Sequence, residues 1–227
     1  MVHEMKQLLN ILYVTMPDSY LSLDGENVVV LREEAEAARV PLHNLSGIVC
    51  FGYTGASPAL MAACAQRDVS ICFFTQNNRF LARIVGKIQG NVILRKTQYR
   101  ISDDASRSLS YARNFISAKL FNSRWVIERA VRDHALRLDA DKLKGVSQKI
   151  HDRVGDAQVA LDLAQLRGVE GEAAKLYFSV FDDLVLQQKE DFFFEGRNRH
   201  PPLDRINALL SFSYSLMTNE IASRLLV

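Results

Sequence analysis

Apolar and polar positions change rhythm near residue 90. Before it, apolar residues come in short blocks at residues 8–14, 20–23, 28–31, 47–51, 69–74 and 80–85, separated by Gly, Pro, Asn and Asp. Blocks of this length punctuated by turn residues read as β-strands. The second and third face each other across Asp24-Gly25, a dipeptide suited to the positive backbone angles of a tight hairpin. One helix interrupts the strands. Ser57 fits an N-cap, Pro58 the first helical position, and residues 59–66 are strong helix formers. With a single helix available for crossovers, the pattern favours a small sandwich or compact sheet layer over a parallel βαβ sheet.

After residue 90 the apolar period becomes helical. Asp103 or Asp104 caps a helix reaching about Leu138, with Leu109, Ala112, Phe115, Ile116, Leu120, Trp125 and Ile127 as its apolar stripe. Further helices are expected at 146–154, 156–166, 168–188 and 204–226, with a loop at 195–202. The fold class is therefore α+β: an N-terminal β-sandwich-like domain over 1–90, then a C-terminal all-α helical domain over 91–227, packed together at residues 86–95.

Composition adds limits. Of the 227 residues, 48% are hydrophobic and 24% charged, the balance of an ordinary folded domain. No run approaches the roughly 20 apolar residues of a membrane span, and no secretory leader is read at the N-terminus, so the expected home is the cytoplasm. Cys50, Cys64 and Cys72 lack Cys-x-x-Cys spacing, which fits reduced core thiols better than a disulfide frame or a zinc site.

Charge is local. Residues 1–90 carry seven Lys and Arg against eight acids, whereas residues 91–132 carry nine against three. The run comprises Arg95, Lys96, Arg100, Arg107, Arg113, Lys119, Arg124, Arg129 and Arg132. Two readings fit it: cations that neutralise nucleic-acid phosphates, or a solvated helix face with no ligand.

The phosphate-cradling Gly-x-x-x-x-Gly-Lys-Ser/Thr, dinucleotide-binding Gly-x-Gly-x-x-Gly, His-Glu-x-x-His and Gly-x-Ser-x-Gly patterns are all absent. Gly52 and Gly55 read as a strand-to-helix turn in preference to an anion site. The informative segment is 165–178, Gln-Leu-Arg-Gly-Val-Glu-Gly-Glu-Ala-Ala-Lys-Leu-Tyr-Phe. Gly168 and Gly171 flank Glu170 at an expected helix junction, where glycine suggests close approach of another group. Ala173, Ala174 and Tyr177 keep that face small or aromatic. A carboxylate there needs a cation, and an ion pair with Arg167 is the simplest supply.

The segment Leu-Arg-Gly-x-Glu-Gly-x-Ala-Ala-x-x-Tyr-Phe, with Leu-Tyr-Val-Thr near the start, Asp-Gly-Glu-Asn-Val-Val-Val-Leu, Pro-Leu-His-Asn-Leu-x-x-Ile-Val-Cys-Phe-Gly and the 204–217 helix Asp-Arg-Ile-Asn-Ala-Leu-Leu-Ser-Phe-Ser-Tyr-Ser-Leu-Met, resembles the CRISPR-associated adaptation integrase family (Cas-one), of the type I-C kind. The match runs from Met5 almost to Val227. The resemblance implies a β domain that dimerises, an α-helical catalytic domain, a homodimer, and an assembly with a small ferredoxin-like partner that captures foreign DNA and inserts it into the CRISPR array.

It also implies a Mg2+ or Mn2+ site of Glu, His and Asp. Glu170 matches the Glu, as catalytic and metal-ligating residue. The other two belong to a pattern that follows the 204–217 helix and is not reached by Val227, and none of His3, His43, His134, His151 or His200 fits, so the resemblance casts this chain as a partial form. Arg167 matches an arginine beside the catalytic Glu. Arg197 and Arg199 follow three phenylalanines, Phe192–Phe194, a combination that stacks a frayed base or closes a helical core. DNA-contact candidates are thus Arg167, Arg197, Arg199, Arg95, Arg100 and Arg113. The expected activity is metal-dependent integration by attack of a DNA 3′-hydroxyl on a phosphodiester; the alternative is a dimeric, non-catalytic DNA-binding scaffold.

Overall fold

The computed structural model describes residues 10–86, 91–199 and 201–225. Two compact units divide the chain: residues up to 90 together with those from Phe212 onward, and residues 91–211. The end of the chain was expected wholly inside the helical domain. Its last helix instead leaves that unit at Phe212, an aromatic residue whose ring lies 5.8 Å from Phe51 of the strand-rich unit.

The strand-rich unit contains β1 (Asn10–Val14), β2 (Ser19–Asp24), β3 (Asn27–Arg32), β4 (Ala35–Pro41), β5 (Leu45–Phe51), β6 (Gly55–Ala56), α1 (Pro58–Gln66), β7 (Ser70–Phe74) and β8 (Phe80–Ile84). One sheet has the order β1-β5-β7-β8 and the other β4-β3-β2-β6. In the first, β1, β5 and β7 are parallel and only β8 is antiparallel. Parallel pairing was disfavoured from the sequence because one helix was available. The chain makes one crossover with α1 and the other with the strands of the second sheet, so one helix suffices.

Both sheets and α1 share a core. Leu21, Val28 and Val30 come from the second sheet, Ile48, Cys50 and Ile71 from the first, and Leu60 and Cys64 from α1. Each large aliphatic side chain buried this way contributes about 1.5–3 kcal/mol. Burial pushes the Cys50 thiol up to about 12 and the Cys64 thiol up to about 11, which keeps both protonated and unreactive. Phe51 and Phe74 stack 5.6 Å apart as part of a smaller apolar cluster that Leu216 joins. Arg83 donates to the Asn219 carbonyl at 2.9 Å and to its Oδ1 at 3.1 Å.

The helical unit contains α2 (Val92–Ser102), α3 (Ala105–His134), α4 (Ala140–Val159), α5 (Leu163–Ser179) and the start of α6 (Arg205–Leu225). Aspartates begin three of them: Asp104, Asp139 and Asp162 accept from the backbone N–H of Arg107, Lys142 and Gln165 at 3.0, 3.0 and 2.7 Å. Such caps are worth about 1 kcal/mol each. The core joins Leu120 and Ile127 of α3, Leu143 and Ile150 of α4, and Leu166 and Ala173 of α5.

Three details depart from the sequence expectations. Helix α2 occupies a stretch that carried no assignment. Helix α4 runs without a break across residue 155, where two helices were expected to part, and the expected 156–166 helix is divided between the end of α4 and the start of α5. Phe115 and Trp125, assigned to the apolar stripe of α3, are 73% and 49% exposed; the buried line passes through Leu109, Leu120 and Ile127 instead.

Candidate functional site

Helix α5 carries the candidate site. Its cap at Asp162 sets the register that buries Leu166, Val169 and Ala173. Glu170 follows Val169 by one residue, about 100° round the helix, and so sits at the margin of the buried face. There its carboxylate accepts a charge-assisted hydrogen bond from the Lys119 ammonium of α3. The Glu170 side chain is only 30% exposed, the lysine 50%.

The proposed partner of Glu170 was Arg167, three residues earlier. That pair does not form. Arg167 is exposed and makes no hydrogen bond or ion pair among the described residues. The Glu170 carboxylate is taken by Lys119 of α3 instead, and Arg167, some 60° round α5, is left on the solvent side.

Gly168 and Gly171 lie inside α5, not at a junction between helices. A Cβ built on either meets nothing within 4 Å. No described part of the chain makes the close approach that the glycines suggested; they leave open surface beside Glu170.

The other cations divide. Arg113 donates through Nε to the Ala160 carbonyl at 2.9 Å, closing the end of α4. Arg124 pairs with Glu128 at 3.7 Å, and Arg129 and Arg132 both pair with Asp133, at 3.4 and 2.8 Å. The hydrogen bond from Arg132 holds the Asp133 carboxyl below its ordinary value. Arg95 is half-buried. Arg100 and Arg199 are exposed and without a partner among the described residues.

Arg197 is engaged internally, donating to Asn207 Oδ1 at 2.8 Å and to the Asn198 carbonyl. Of the three phenylalanines before it, Phe194 is buried against Phe181 and Phe178, with ring centroids 4.9 and 5.7 Å away. Phe192 lies under the Arg205 guanidinium at 5.8 Å, and Phe193 is 46% exposed. Core closure thus accounts for Phe194. Tyr177 contacts the rings of Phe178 and Phe181, as a core tyrosine does.

Glu170 has the chemistry of a hard-cation ligand. Among the described residues, however, no three His, Cys, Asp or Glu side chains come together in a way that could hold a metal. These residues alone do not form a metal centre. His3 and His200 lie outside the described residues. Among the described residues no helix is long and apolar enough to cross a membrane.

Two residues that hold this part of the structure together escaped the sequence reading. Lys119 was counted only as one cation of a run, since nothing local signals a partner 51 residues away. Asn207 was noted only inside a motif, although it is fully buried and anchors the start of α6.

The family model described as "CRISPR associated protein Cas1" matches residues 12–227. The chain is 46% identical over 221 residues to CRISPR-associated endonuclease Cas1 1 of Chlorobaculum tepidum, covering 97% of this chain and 64% of that protein. It is 42% identical over 224 residues to CRISPR-associated endonuclease Cas1 2 of Rhodospirillum rubrum, covering 96% and 64%. The chain therefore spans a little under two thirds of the length of these curated relatives. Among solved structures, a CAS1 protein from Thermotoga maritima superposes with a TM-score of 0.72 at 21% identity, covering 94% of this chain and 64% of the other. A casposase bound to its integration product gives 0.69 at 19% identity, covering 92% and 58%. These two share the fold.

Proposed function

Since the chain belongs to the Cas1 family, we propose that it handles DNA in CRISPR adaptation, as an integrase and endonuclease subunit of the I-C kind that captures foreign fragments and joins them into the CRISPR array. The joining step is attack of a DNA 3′-hydroxyl on a phosphodiester, which builds charge on the phosphoryl oxygens and the leaving alkoxide. One observation carries the reading: Glu170 is held at the edge of α5 against Lys119, with Arg167 exposed nearby and two glycines leaving the adjoining surface open. Cations at that spacing can hold phosphate oxygens while open backbone admits a strand.

The relatives named as CRISPR-associated endonucleases support this reading. DNA, a second copy joined through the strand-rich unit, and a small ferredoxin-like protein are the proposed partners, in the cytoplasm. Mg2+ or Mn2+ belongs to the proposal as a cofactor for which Glu170 supplies one carboxylate. The second reading is a DNA-binding scaffold, which needs the cations and no metal donor besides Glu170.

Anisotropy titrations of a labelled splayed duplex across a salt series test the common ground of both readings. Binding is expected to be sequence-tolerant and steeply salt-dependent. Replacing Arg100 and Arg199 by Ala should reduce the log–log slope by about two, whereas Arg113→Ala should leave it unchanged. Absence of binding at low salt overturns the proposal. Strand transfer by a version with the relatives' full length, abolished by Glu170→Ala with duplex binding retained, separates the integrase from the scaffold.

A further inference from the structure

Strands β1, β5 and β7 run parallel, so their carboxyl ends open side by side. A crevice of about 320 Å3 lies there, lined by Thr15 after β1, Pro17, Phe51 at the end of β5, Gln76 after β7, and Phe212 of α6, which belongs to the same compact unit. The same position holds ligands in open α/β sheets. Its walls are aromatic. The Phe51 ring stacks on Phe74 at 5.6 Å and lies 5.8 Å from the ring of Phe212, a residue that remains 39% exposed.

The polar rim is fixed in place and unused. Residues 75–79 form a closed turn, in which the Thr75 N–H donates to the Arg79 carbonyl at 2.8 Å and the Arg79 N–H to Thr75 Oγ1 at 3.0 Å. Asn78 ties that turn to the crevice by donating from Nδ2 to the Phe212 carbonyl at 3.5 Å, while its Oδ1 is buried without a partner among the described residues. Gly52, with φ +85°, has no side chain where a Cβ would come within 3.6 Å of Gln76 Cγ, so the glutamine lies close over the end of β5. Neither the Gln76 amide nor the Thr15 hydroxyl makes a hydrogen bond among the described residues.

We propose that this crevice binds a small, neutral, planar heteroaromatic molecule of nucleobase size, held flat against Phe212 with its polar edge on the Gln76 amide and the Thr15 hydroxyl. The site is independent of the DNA-binding reading given above. Among the described residues no Lys, Arg, Asp or Glu lines it. Nothing there grips a phosphate, so a nucleic-acid backbone gains no contact by following its base in. The volume lies at the lower end of the about 300–1,000 Å3 usual for ligand pockets, which suits one ring or two fused rings. A glutamine amide presents a donor beside an acceptor, the complement of the N6–N7 edge of adenine. The exposed ring supplies the stacking face that any such molecule can use.

Calorimetric titration of this chain with adenine, and with purine, which lacks the 6-amino group, tests the site. Adenine is expected to bind roughly fivefold more tightly than purine. Phe212→Leu keeps an apolar side chain but removes the ring, and should weaken both about fivefold or more. Gln76→Met keeps the length of the side chain without its amide, and should bring adenine and purine to the same affinity. Thermal unfolding of each variant confirms that the chain still folds. If the parent binds no adenine, the site is wrong. If parent, Phe212→Leu and Gln76→Met bind adenine alike, the ligand sits elsewhere and the assignment falls. If a labelled oligo-dA loses affinity in Phe212→Leu while free adenine does not bind, the crevice takes a base of DNA and the inference of a free small molecule is overturned.

Discussion

Arg197 donates from Nη1 to the Oδ1 of Asn207 at 2.8 Å, and that bond ties the loop before α6 to a side chain with no solvent exposure. Asn207 uses both ends of its amide. Its oxygen also accepts from the Asn198 N–H at 3.1 Å, and its nitrogen donates to the Gly196 carbonyl at 2.8 Å and to Asp204 Oδ2 at 2.6 Å. Gly196 itself has φ +146°, a conformation that side chains rarely adopt. The Asp-x-x-Asn spacing at 204–207 is therefore explained by architecture before any chemistry is invoked.

Asn207→Ala should be among the more damaging substitutions in the helical unit. It removes one hydrogen bond each from the Gly196 carbonyl, the Arg197 guanidinium, the Asn198 N–H and the Asp204 carboxylate in a buried cluster, at a cost of about 2–4 kcal/mol in urea unfolding. Arg197→Ala should also lower stability and should leave the salt slope of DNA binding unchanged. A slope reduced by about one, with stability intact, would return Arg197 to the DNA-contacting group.

The same cluster predicts a pH dependence. Burial raises the Asp204 carboxyl, but hydrogen bonds from the Asn207 backbone and side chain, from Asn198 and from the Ile206 backbone outweigh it, so the net displacement is below the ordinary value. A carboxyl lowered in the folded state binds its proton more readily in the unfolded chain. Its stabilising contribution is thus complete above the unfolded value, near about 3.9, and is lost as pH falls through the lower folded value. Urea midpoints measured from pH 6 downward should fall more steeply for the parent than for Asp204→Asn. Parallel curves would show that the carboxylate adds no pH-dependent stability.

How far sequence alone reached depends on whether the signal was local. Helix caps were legible: Ser57 accepts from the Leu60 N–H at 3.2 Å, as its place before Pro58 implied, and Asp104 begins α3. The Asp24-Gly25 hairpin was legible for the same reason, and the positive φ of Gly25 fits it. Parallel pairing of β1 with β5 was not, because the crossover joining them is itself a sheet and no window of residues records that. Glu170 stood out through its flanking glycines, whereas its cation came from another helix. Arg113 and Arg100 look alike in a list of charges; only tertiary contacts separate a cation that closes α4 from one left in solvent.

Strand β4 escaped for a reason that can be tested. The hairpin joining β3 to β4 turns at Glu33 and Glu34, with φ of +50° and +65°. Two consecutive left-handed residues suit a type I′ turn, for which Asn-Gly is favoured and glutamate is not. Each non-glycine residue in that region costs of order 1 kcal/mol or more. With no Gly, Asn or Asp present, the sequence carried no turn signal. Two acidic side chains at adjacent turn positions also repel. The pairing holds because Val28 and Val30 of β3 are buried in the core and Arg39 of β4 bonds both Glu36 and Asp24, at 2.7 and 2.6 Å. Replacing Glu33-Glu34 by Asn-Gly should therefore stabilise the strand-rich unit by about 1–2 kcal/mol, read as a higher urea midpoint with an unchanged m-value. A midpoint that stays put would mean that the turn stores no strain, and that β4 went unread for its composition alone.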